Sequence, residues 1–462
     1  MYSVTMKSAK PRIISRGEHN ISRQLVSPNA LRVLYRLRDS GFTACLVGGC
    51  VRDLLLGREP KDFDIATDAT PAEIRKIFRN CRLVGRRFRL AHIHFRDEII
   101  EVATFRASAA DGEQEEAGFL AGEETDVASA GEQVHILKSD EGMLLRDNLF
   151  GTPQEDAWRR DFTVNALSYN IADFSIVDYV GGVEDLQRGI IRTIGDPWER
   201  FTEDPVRMLR ALRFSAQLGF SLEKSCRQAI GDMSERICQA APPRLFDELL
   251  KMFFSGEGEQ CYQLLRQCGL FAALFPFLEE WLAREEGGFP HTALSEALLR
   301  VDEMVDRGEK PTVPLFLAMF FGCYLEEKVE GLRADGAASQ ESIEMAIAGL
   351  MAETAPRVQV TQRVAYRLRE ILVLQQRFSR IPGRKPQSVI ARPAFAEALE
   401  YLRFRAGNDR ELMKSCSWWE SHAAGIEPEG ARPQPGAGEQ GGGAGRKRKR
   451  RKRRRHKGAT PS

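Results

Sequence analysis

Two aspartates one residue apart in the run KDFDIAT are the side chains of this 462-residue chain best spaced for metal-assisted chemistry. Side chains alternate along a strand, so Asp62 and Asp64 share a face, with Cα atoms about 6.5–7 Å apart. Carboxylates so placed can share two Mg²⁺ ions held about 3.5–4 Å apart, as in-line phosphoryl transfer requires. One ion would activate an attacking hydroxyl, and the other would steady a departing pyrophosphate. Phe63, between them, is expected to point into the core. Alone, D-x-D is a common pattern that usually marks exposed strand carboxylates, so its surroundings decide its meaning.

Upstream lies LVGGCVRDLLLG. Gly48 and Gly49 follow an expected strand and open an expected helix, whose first amides can approach a triphosphate. Arg52 and Asp53 sit in the first turn of that helix, facing the same area. The spacing is neither a Walker loop nor G-x-G-x-x-G, and an ordinary glycine turn is the plain alternative. Downstream, EIIEVATF supplies Glu101, a third carboxylate if its strand neighbours the D-x-D strand. RRDFTVNAL then brings Arg159, Arg160, Asp161 and Asn165, with Asp161 and Asn165 on one face if the segment is helical. Such groups can bond sugar hydroxyls and grip phosphates; a structural salt-bridge turn would look the same. In TEDPVRMLRALRF, Thr202 reads as an N-cap, which places Asp204 and Arg207 on one helical face. A carboxylate acceptor beside a guanidinium donor reads an amine next to a ring nitrogen, the pattern of adenine and cytosine alike. A local ion pair capping the helix is the rival account.

The elements that must position these groups are legible from periodicity. Residues 1–26 read as a polar arm. Ser27 caps a helix over 29–40 with Leu31, Val33, Leu34 and Leu37 on its buried face. TACLV begins a strand, 51–56 a helix and 63–66 a strand. Thr70-Pro71-Ala72-Glu73 is a capping box with proline at the first helical position. Residues 91–95 and 99–105 read as strands joined by a tight turn. His92 and His94 share a strand face, for which a structural role outweighs a metal site. From Asp204 onward amphipathic helices dominate, and no internal repeat is visible.

The ordered set L-V-G-G-x-x-R-D, D-x-D, R-R-D-x-x-x-N and E-D-x-x-R resembles the class II nucleotidyltransferases, which comprise bacterial poly(A) polymerases and CCA-adding tRNA enzymes. The likeness spans residues 27–270 and thins after about 275. It implies an α/β plus all-α multidomain chain: a polymerase-β-like head, then a helical neck and body and a disordered basic tail. The expected divisions are an N-terminal arm and helix (1–40), the head (41–195) with a flexible acidic insertion (107–142), the neck (196–275), the body (276–420), and a linker with tail (421–462). Base selection and RNA binding fall to the neck, and further RNA binding to the body. The resemblance implies catalysis by Asp62, Asp64 and Asp161, with metal held by Asp62, Asp64 and Glu101. Nucleotide contacts would come from Gly48, Gly49, Arg52, Asp53, Arg160, Asn165, Glu203, Asp204 and Arg207. Two Mg²⁺ ions and ATP follow as cofactor and substrate, and RNA 3′ ends as partner.

The shared motifs do not separate A-tailing from CCA addition. The segments LVGRRFRLAHIHF (83–95), MLLRDNLFG (143–151) and HNISRQLVSPNAL (19–31) resemble bacterial poly(A) polymerases. Arg86, Arg87 and Arg89 in the first of these place cations beside the catalytic sheet. The expected activity is therefore template-independent addition of AMP to RNA 3′ ends, in mRNA polyadenylation and RNA turnover. CCA addition to tRNA is the alternative, and a catalytically silent RNA-binding protein the alternative of another class. No histidine precedes an aspartate, so an appended His-Asp phosphohydrolase is not expected.

Composition sets the outer bounds. The 43% apolar and 29% charged fractions are those of an ordinary globular protein. No apolar run is long enough to span a bilayer and no secretory signal is evident, so cytoplasmic residence is expected. Nine scattered cysteines without a C-x-x-C pair fit reduced thiols. The net charge of +2 conceals RKRKRRKRRR at 446–455 followed by Lys457; less those eleven cations, the rest of the chain carries −9. Such a run repels itself and attracts polyanions through counterion release, with a solubilising tail or an anionic membrane surface as other uses. Deleting 446–457 is expected to weaken RNA affinity and flatten its salt dependence, measured by anisotropy titration across salt concentrations. Single-nucleotide incorporation at saturating RNA should survive; its loss would place the tail in the reacting site.

Overall fold

The computed structural model describes residues 10–85, 90–107, 137–138, 144–146, 150–286, 289–290, 292–381, 385–407 and 409–425. Arg86, Arg87 and Arg89, nearly all of the acidic insertion, and the linker and basic tail beyond 425 lie outside the described residues.

The first strands and helices follow their local signals. β1 (Arg12–Ile14) precedes α1 (Pro28–Asp39), whose N-cap Ser27 accepts from the amides of Asn29 and Ala30. β2 (Ala44–Val47) runs into α2 (Gly49–Leu55), and β3 (Asp64–Thr67) into α3 (Pro71–Ile77). The capping box of α3 is formed as its sequence requires, Thr70 Oγ1 accepting from the Glu73 amide while Glu73 answers the Thr70 amide. β4 (Cys81–Val84), β5 (Leu90–His94) and β6 (Ile99–Thr104) make a meander; β7 (Leu137–Lys138) and β8 (Leu144–Arg146) pair separately. α4 (Pro153–Arg159), β9 (Ser168–Asn170), β10 (Ile176–Asp178) and α5 (Gly182–Arg188) complete the mixed unit.

Eight strands form one sheet in the order β1-β10-β9-β2-β3-β6-β5-β4. Only β3 and β6 run parallel in it, placing Asp64 opposite Glu101. Directly opposed residues share a face, so one transverse row carries Ser168, Val47, Asp64, Glu101 and His92. The opposite face buries Leu46, Ile65, Ile93, Ile100 and Val102 against α1 and α3 in the main core. The Asp64 face holds only a thin apolar patch of Cys45, Val47, Ala66 and Phe105. A sheet with one heavily packed face leaves the other open for polar side chains.

The N-terminal arm is more ordered than its polarity suggests. β1 pairs with β10 at the sheet edge, and Ile14, Ile21 and Val26 are buried in the main core. Three apolar anchors tie down an otherwise charged segment.

Beyond residue 196 the described chain is helical but for two-residue pairings. α6 (Pro197–Glu203) and α7 (Val206–Leu218) lead to α8 (Lys224–Asp232) and α9 (Pro242–Phe253). α10 (Gly258–Gln267), α11 (Leu270–Leu274), α12 (Pro276–Leu282) and α13 (Ala293–Asp306) follow, then α14 (Val313–Ala334) and α15 (Ser339–Thr354). α16 (Gln362–Phe378), α17 (Pro386–Ile390), α18 (Phe395–Ala406) and α19 (Arg410–Ala423) close the described fold. One continuous core runs from Ile14 to Trp419 through both parts, with the ring of Phe320 in contact with those of Phe253, Phe275 and Phe316. No described helix is long and apolar enough to cross a membrane.

Candidate active site

β2 delivers the chain to Gly48, which adopts φ +79°. A Cβ there would lie 3.0 Å from Arg160 Nη1 and 4.0 Å from Asp64 Oδ2, so only glycine brings backbone this close to both groups. The Gly48 amide donates to Leu167 O at 3.2 Å and is consumed by the fold. Arg52 is buried, donating from Nε to Asp53 (2.8 Å) and from Nη1 to Asn165 Oδ1 (2.7 Å). Arg52 and Asp53 line the site, and Arg52 braces the Asn165 turn.

Asp62 and Asp64 open onto the same cavity. The ladder begins only at Asp64, because β2 turns away at Gly48 and leaves Asp62 with no strand partner. Asp62 is thus an exposed residue just before β3 rather than within it. Burial, then the Asp62 and Glu101 charges, push the Asp64 carboxyl up to about 6, against a lowering by Arg160. Glu101 is half-exposed and lies 3.4 Å from His92 Nε2. The rings of His92 and His94 are 6.4 Å apart. Among the described residues no three His, Cys, Asp or Glu side chains form a ready-made metal cluster.

Asp161 and Asn165 come together, but not on a helix. α4 ends at Arg159, and a bridge of Phe162 to Thr193 with Thr163 N donating to Arg192 O pulls the segment extended. A single 3-10 turn, Thr163–Asn165, brings Asn165 Nδ2 to 3.3 Å from Asp161 Oδ1. That turn is wedged against α5: a Cβ on Gly182 would sit 2.2 Å from Thr163 O, and Asp178 accepts four amides at the start of α5. Asp161 Oδ2 receives Arg210 Nε at 2.7 Å and Nη2 at 2.6 Å. Burial alone would raise Asp161, but Arg210, then Arg207 and Asn165, carry it down to about 2.

The segment expected to select the base departs from its expected form. Thr202 lies inside α6, donating to Trp198 O, and is not an N-cap. Pro205 excludes helical backbone from the residue before it, so Asp204 takes φ −150°, ψ 96° between two helices. Arg207 consequently pairs with Glu203 at 2.8 Å, which also receives Arg200 at 2.7 Å. Asp204 is instead held by both Nη atoms of Arg244 on α9, at 3.1 and 2.8 Å. Buried Arg200 donates to the carbonyls of Arg159 and Arg160, tying α6 to the end of α4. Burial and then Arg207 lower its pKa to about 10.

These groups border one cavity of about 1330 Å³ between the sheet and α7 and α9. It takes in Gly48, Gly49, Asp53, Asp62, Asp64, Arg159, Arg160, Asp161, Asn165, Asp204 and Arg207; Glu101 and Glu203 are not on its wall. Arg210, Arg213, Phe214 and Arg244 line it too, and sequence reasoning missed them. The spacing Arg207-Arg210-Phe214 along α7 was the available signal, a stripe at i, i+3 and i+7. Arg244 offered none, because its partner lies forty residues away.

The model of the poly A polymerase head domain matches residues 44–192. That of a probable RNA and SrmB-binding site of polymerase A matches 219–282, and that of the polymerase A arginine-rich C-terminus matches 335–456. Poly(A) polymerase I of Salmonella typhimurium is 42% identical over 421 residues, covering 90% of this chain and 87% of the relative. A CCA-adding enzyme of Lactobacillus helveticus is 37% identical over 235 residues, covering 51% of this chain and 52% of its own. In structure, the Bacillus stearothermophilus CCA-adding enzyme in complex with CTP aligns with TM-score 0.53 at 23% identity, covering 87% and 83% of the two chains. That likeness concerns the fold.

Two outcomes follow from the electrostatics. Arg210→Ala leaves Asp161 buried without its cation and should cost about 3–5 kcal/mol in urea unfolding at pH 7. Because the pair holds Asp161 below its unfolded value, its contribution is complete above that value and fades as pH falls through about 2. The deficit of the variant should therefore shrink toward that acid limit. Asp64→Asn should act oppositely. A carboxyl raised to about 6 opposes folding once ionised, so without metal the variant should be more stable above pH 6, on the order of 1–3 kcal/mol. That advantage should vanish near pH 4, and thermal melts across this range read it directly.

Proposed function

The chain belongs to the family of bacterial poly(A) polymerases, and from that premise we propose that it extends RNA 3′ ends with AMP from ATP, without a template. The observation that carries this reading is the convergence on one cavity of the D-x-D carboxylates, the Asp161–Arg210 pair and the Asp204–Arg207 segment. The choice of adenylation over CCA addition is supported by the span of the likeness, nine-tenths of the chain against half.

The donor set suits a hard divalent cation. Asp62 and Asp64 offer oxygen only, and Asp64 carries a negative charge that its carboxylate neighbours resist. Mg²⁺ is commonly held by one or two carboxylates with substrate phosphates completing the shell, so two protein ligands suffice. Glu101, at the paired position of the next strand, adds negative potential there. Two bound Mg²⁺ ions would supply activation of the RNA 3′-hydroxyl and charge neutralisation on the departing pyrophosphate.

The remaining steps belong to the chain. Arg160, held by Asp156 at 3.0 Å and set against Gly48, faces the nucleotide phosphates. Gly48 and Gly49 keep that wall free of side chains, while Arg52 and Asp53 fix the helix behind it. Asp161 and Asn165 address the ribose, and Arg210 keeps Asp161 ionised throughout the working pH range. Asp204 and Arg207, the latter set in place by Glu203 behind the wall, present acceptor and donor to the base edge. The neck and body helices hold the RNA, which we take to be mRNA and other cytoplasmic transcripts.

Primer extension with Mg²⁺ tests the reading, comparing ATP with CTP on an unstructured RNA and on a tRNA lacking its 3′ end. Long A-tracts on both RNAs with little use of CTP are expected. Two C's and one A added only to the tRNA would overturn it. Asp62→Ala should abolish incorporation while sparing RNA binding; unchanged incorporation would refute the metal assignment, and a wild-type chain that binds RNA without extending it would leave a silent binding protein.

A further inference from the structure

The last described helix is anchored on one side and bare on the other. Ser415, Cys416 and Trp419 of α19 are buried; Ser415 Oγ and Trp419 Nε1 both donate to Phe378 O at the end of α16. On the opposite side Arg410, Met413, Lys414, Ser417, Trp418 and Ser421 line a shallow groove of about 530 Å³. They recur at i, i+3, i+4, i+7, i+8 and i+11, a stripe about 16 Å long. Nothing in the catalytic cavity uses it, and none of its residues belongs to the motifs.

Trp418 is held in place before any ligand arrives. Its ring meets that of buried Trp419 edge-on at 4.8 Å and lies 3.8 Å from that of His422. His422 is fixed in turn, its Nδ1–H donating to Trp418 O at 3.0 Å. A half-exposed aromatic surface already immobilised loses little entropy on binding. Lys414 and Arg410 are exposed one and two turns toward the N-terminus of the helix, Lys414 in a surface pair with Glu411. Such an exposed pair holds its ammonium only weakly, so Lys414 can turn to a stronger anion. A partner helix would require apolar anchors at i, i+3, i+4 and i+7, whereas Met413 and Trp418 are the only large apolar side chains here. A flat aromatic ring beside cations, with hydroxyls between, matches single-stranded nucleic acid instead.

We infer that this face of α19 is an RNA subsite, where a base stacks on Trp418 and Arg410 and Lys414 meet neighbouring phosphates upstream of the reacting 3′ end. The inference rests on the reading of the chain as an RNA-extending enzyme.

The test uses the full chain and a ladder of oligoadenylates of increasing length, with affinity read by fluorescence anisotropy. Trp418→Ala should bind the shortest oligomers like wild type and lose about 5-fold or more beyond a threshold length. Trp418→Phe should retain most of the affinity. Arg410→Ser with Lys414→Ser should reduce the slope of log affinity against log salt by about 1.4, the value for two single-strand phosphate contacts. Should Trp418→Ala unfold, as thermal melts would reveal, Trp418→Phe and the double serine variant still decide. Wild-type affinity and salt slope at every length would overturn the inference and leave the stripe to a protein partner. An equal loss at every length would overturn it too, since an upstream subsite cannot affect an oligomer too short to reach it. If wild-type chain extends no RNA yet shows the threshold, the subsite stands and the activity reading falls.

Discussion

A carboxylate that folding disfavours sits at the centre of this molecule, and the surrounding architecture keeps it there. Asp64 is desolvated, opposite Glu101 in the sheet and two residues from Asp62, so the protein alone pushes its pKa up to about 6. Without a cation the arrangement is frustrated, which is the mark of a site selected for binding rather than for stability. Holding it takes the one parallel pairing of the sheet, a packed opposite face and a glycine turn that brings Arg160 alongside without filling the space. A slip of one residue in the β3–β6 register would turn Asp64 into the core and Ile65 into the cavity. The apolar run on the other face, Ile65 with Ile93, Ile100 and Val102, makes that slip prohibitive.

Around this centre, cations and anions are matched one against another: Arg210 with Asp161, Arg207 with Glu203, Arg244 with Asp204, Arg160 with Asp156, and Arg213 with Glu248. Several of these pairs join segments far apart in sequence, so the sheet, the α6–α7 turn and α9 are held in mutual register at the cavity wall. Buried pairs add little net stability over apolar packing, but they are costly to leave half-made. Their value here is geometric, since each fixes the direction of a charged side chain at or beside the cavity wall.

Much of this was readable in the sequence, and most of what was not has one cause. The capping box at Thr70, the helix capped by Ser27 and the strands flanking residues 96–98 are written in adjacent residues and formed as read. The neighbouring of Glu101 and Asp64 was conditional on strand order and came out paired. Thr202 misled because Thr-x-x-Pro resembles a helix start, whereas the proline sits at a junction where one helix stops and another begins. The spacing of Asp161 and Asn165 puts them on one face only if the segment is helical; the bridge of Phe162 to Thr193 holds it extended instead. The N-terminal arm looked polar because its three buried residues follow no period. Except at Thr202, where the neighbouring proline decides, a distant partner overrode the local pattern. Arg244 is the extreme case, since nothing near it in the sequence marks it as the partner of Asp204.

The same matching of charges bears on how a polyanion reaches the site. An arginine already paired with a carboxylate contributes direction at close range but little long-range field, since the two charges cancel beyond a Debye length of about 8–10 Å. The paired arginines of the cavity can therefore orient a nucleotide once it is present, yet they attract RNA only weakly from solution. In sequence, the excess of positive charge lies at 446–457, while the remainder of the chain is net negative. Attraction and orientation are thus assigned to different parts of one polypeptide. A run that grips any phosphate backbone brings no selectivity, and a cavity that selects has little need of reach. On the proposed function, coupling them on one chain would raise the local concentration of RNA ends at a site that must otherwise remain neutral enough to release its product.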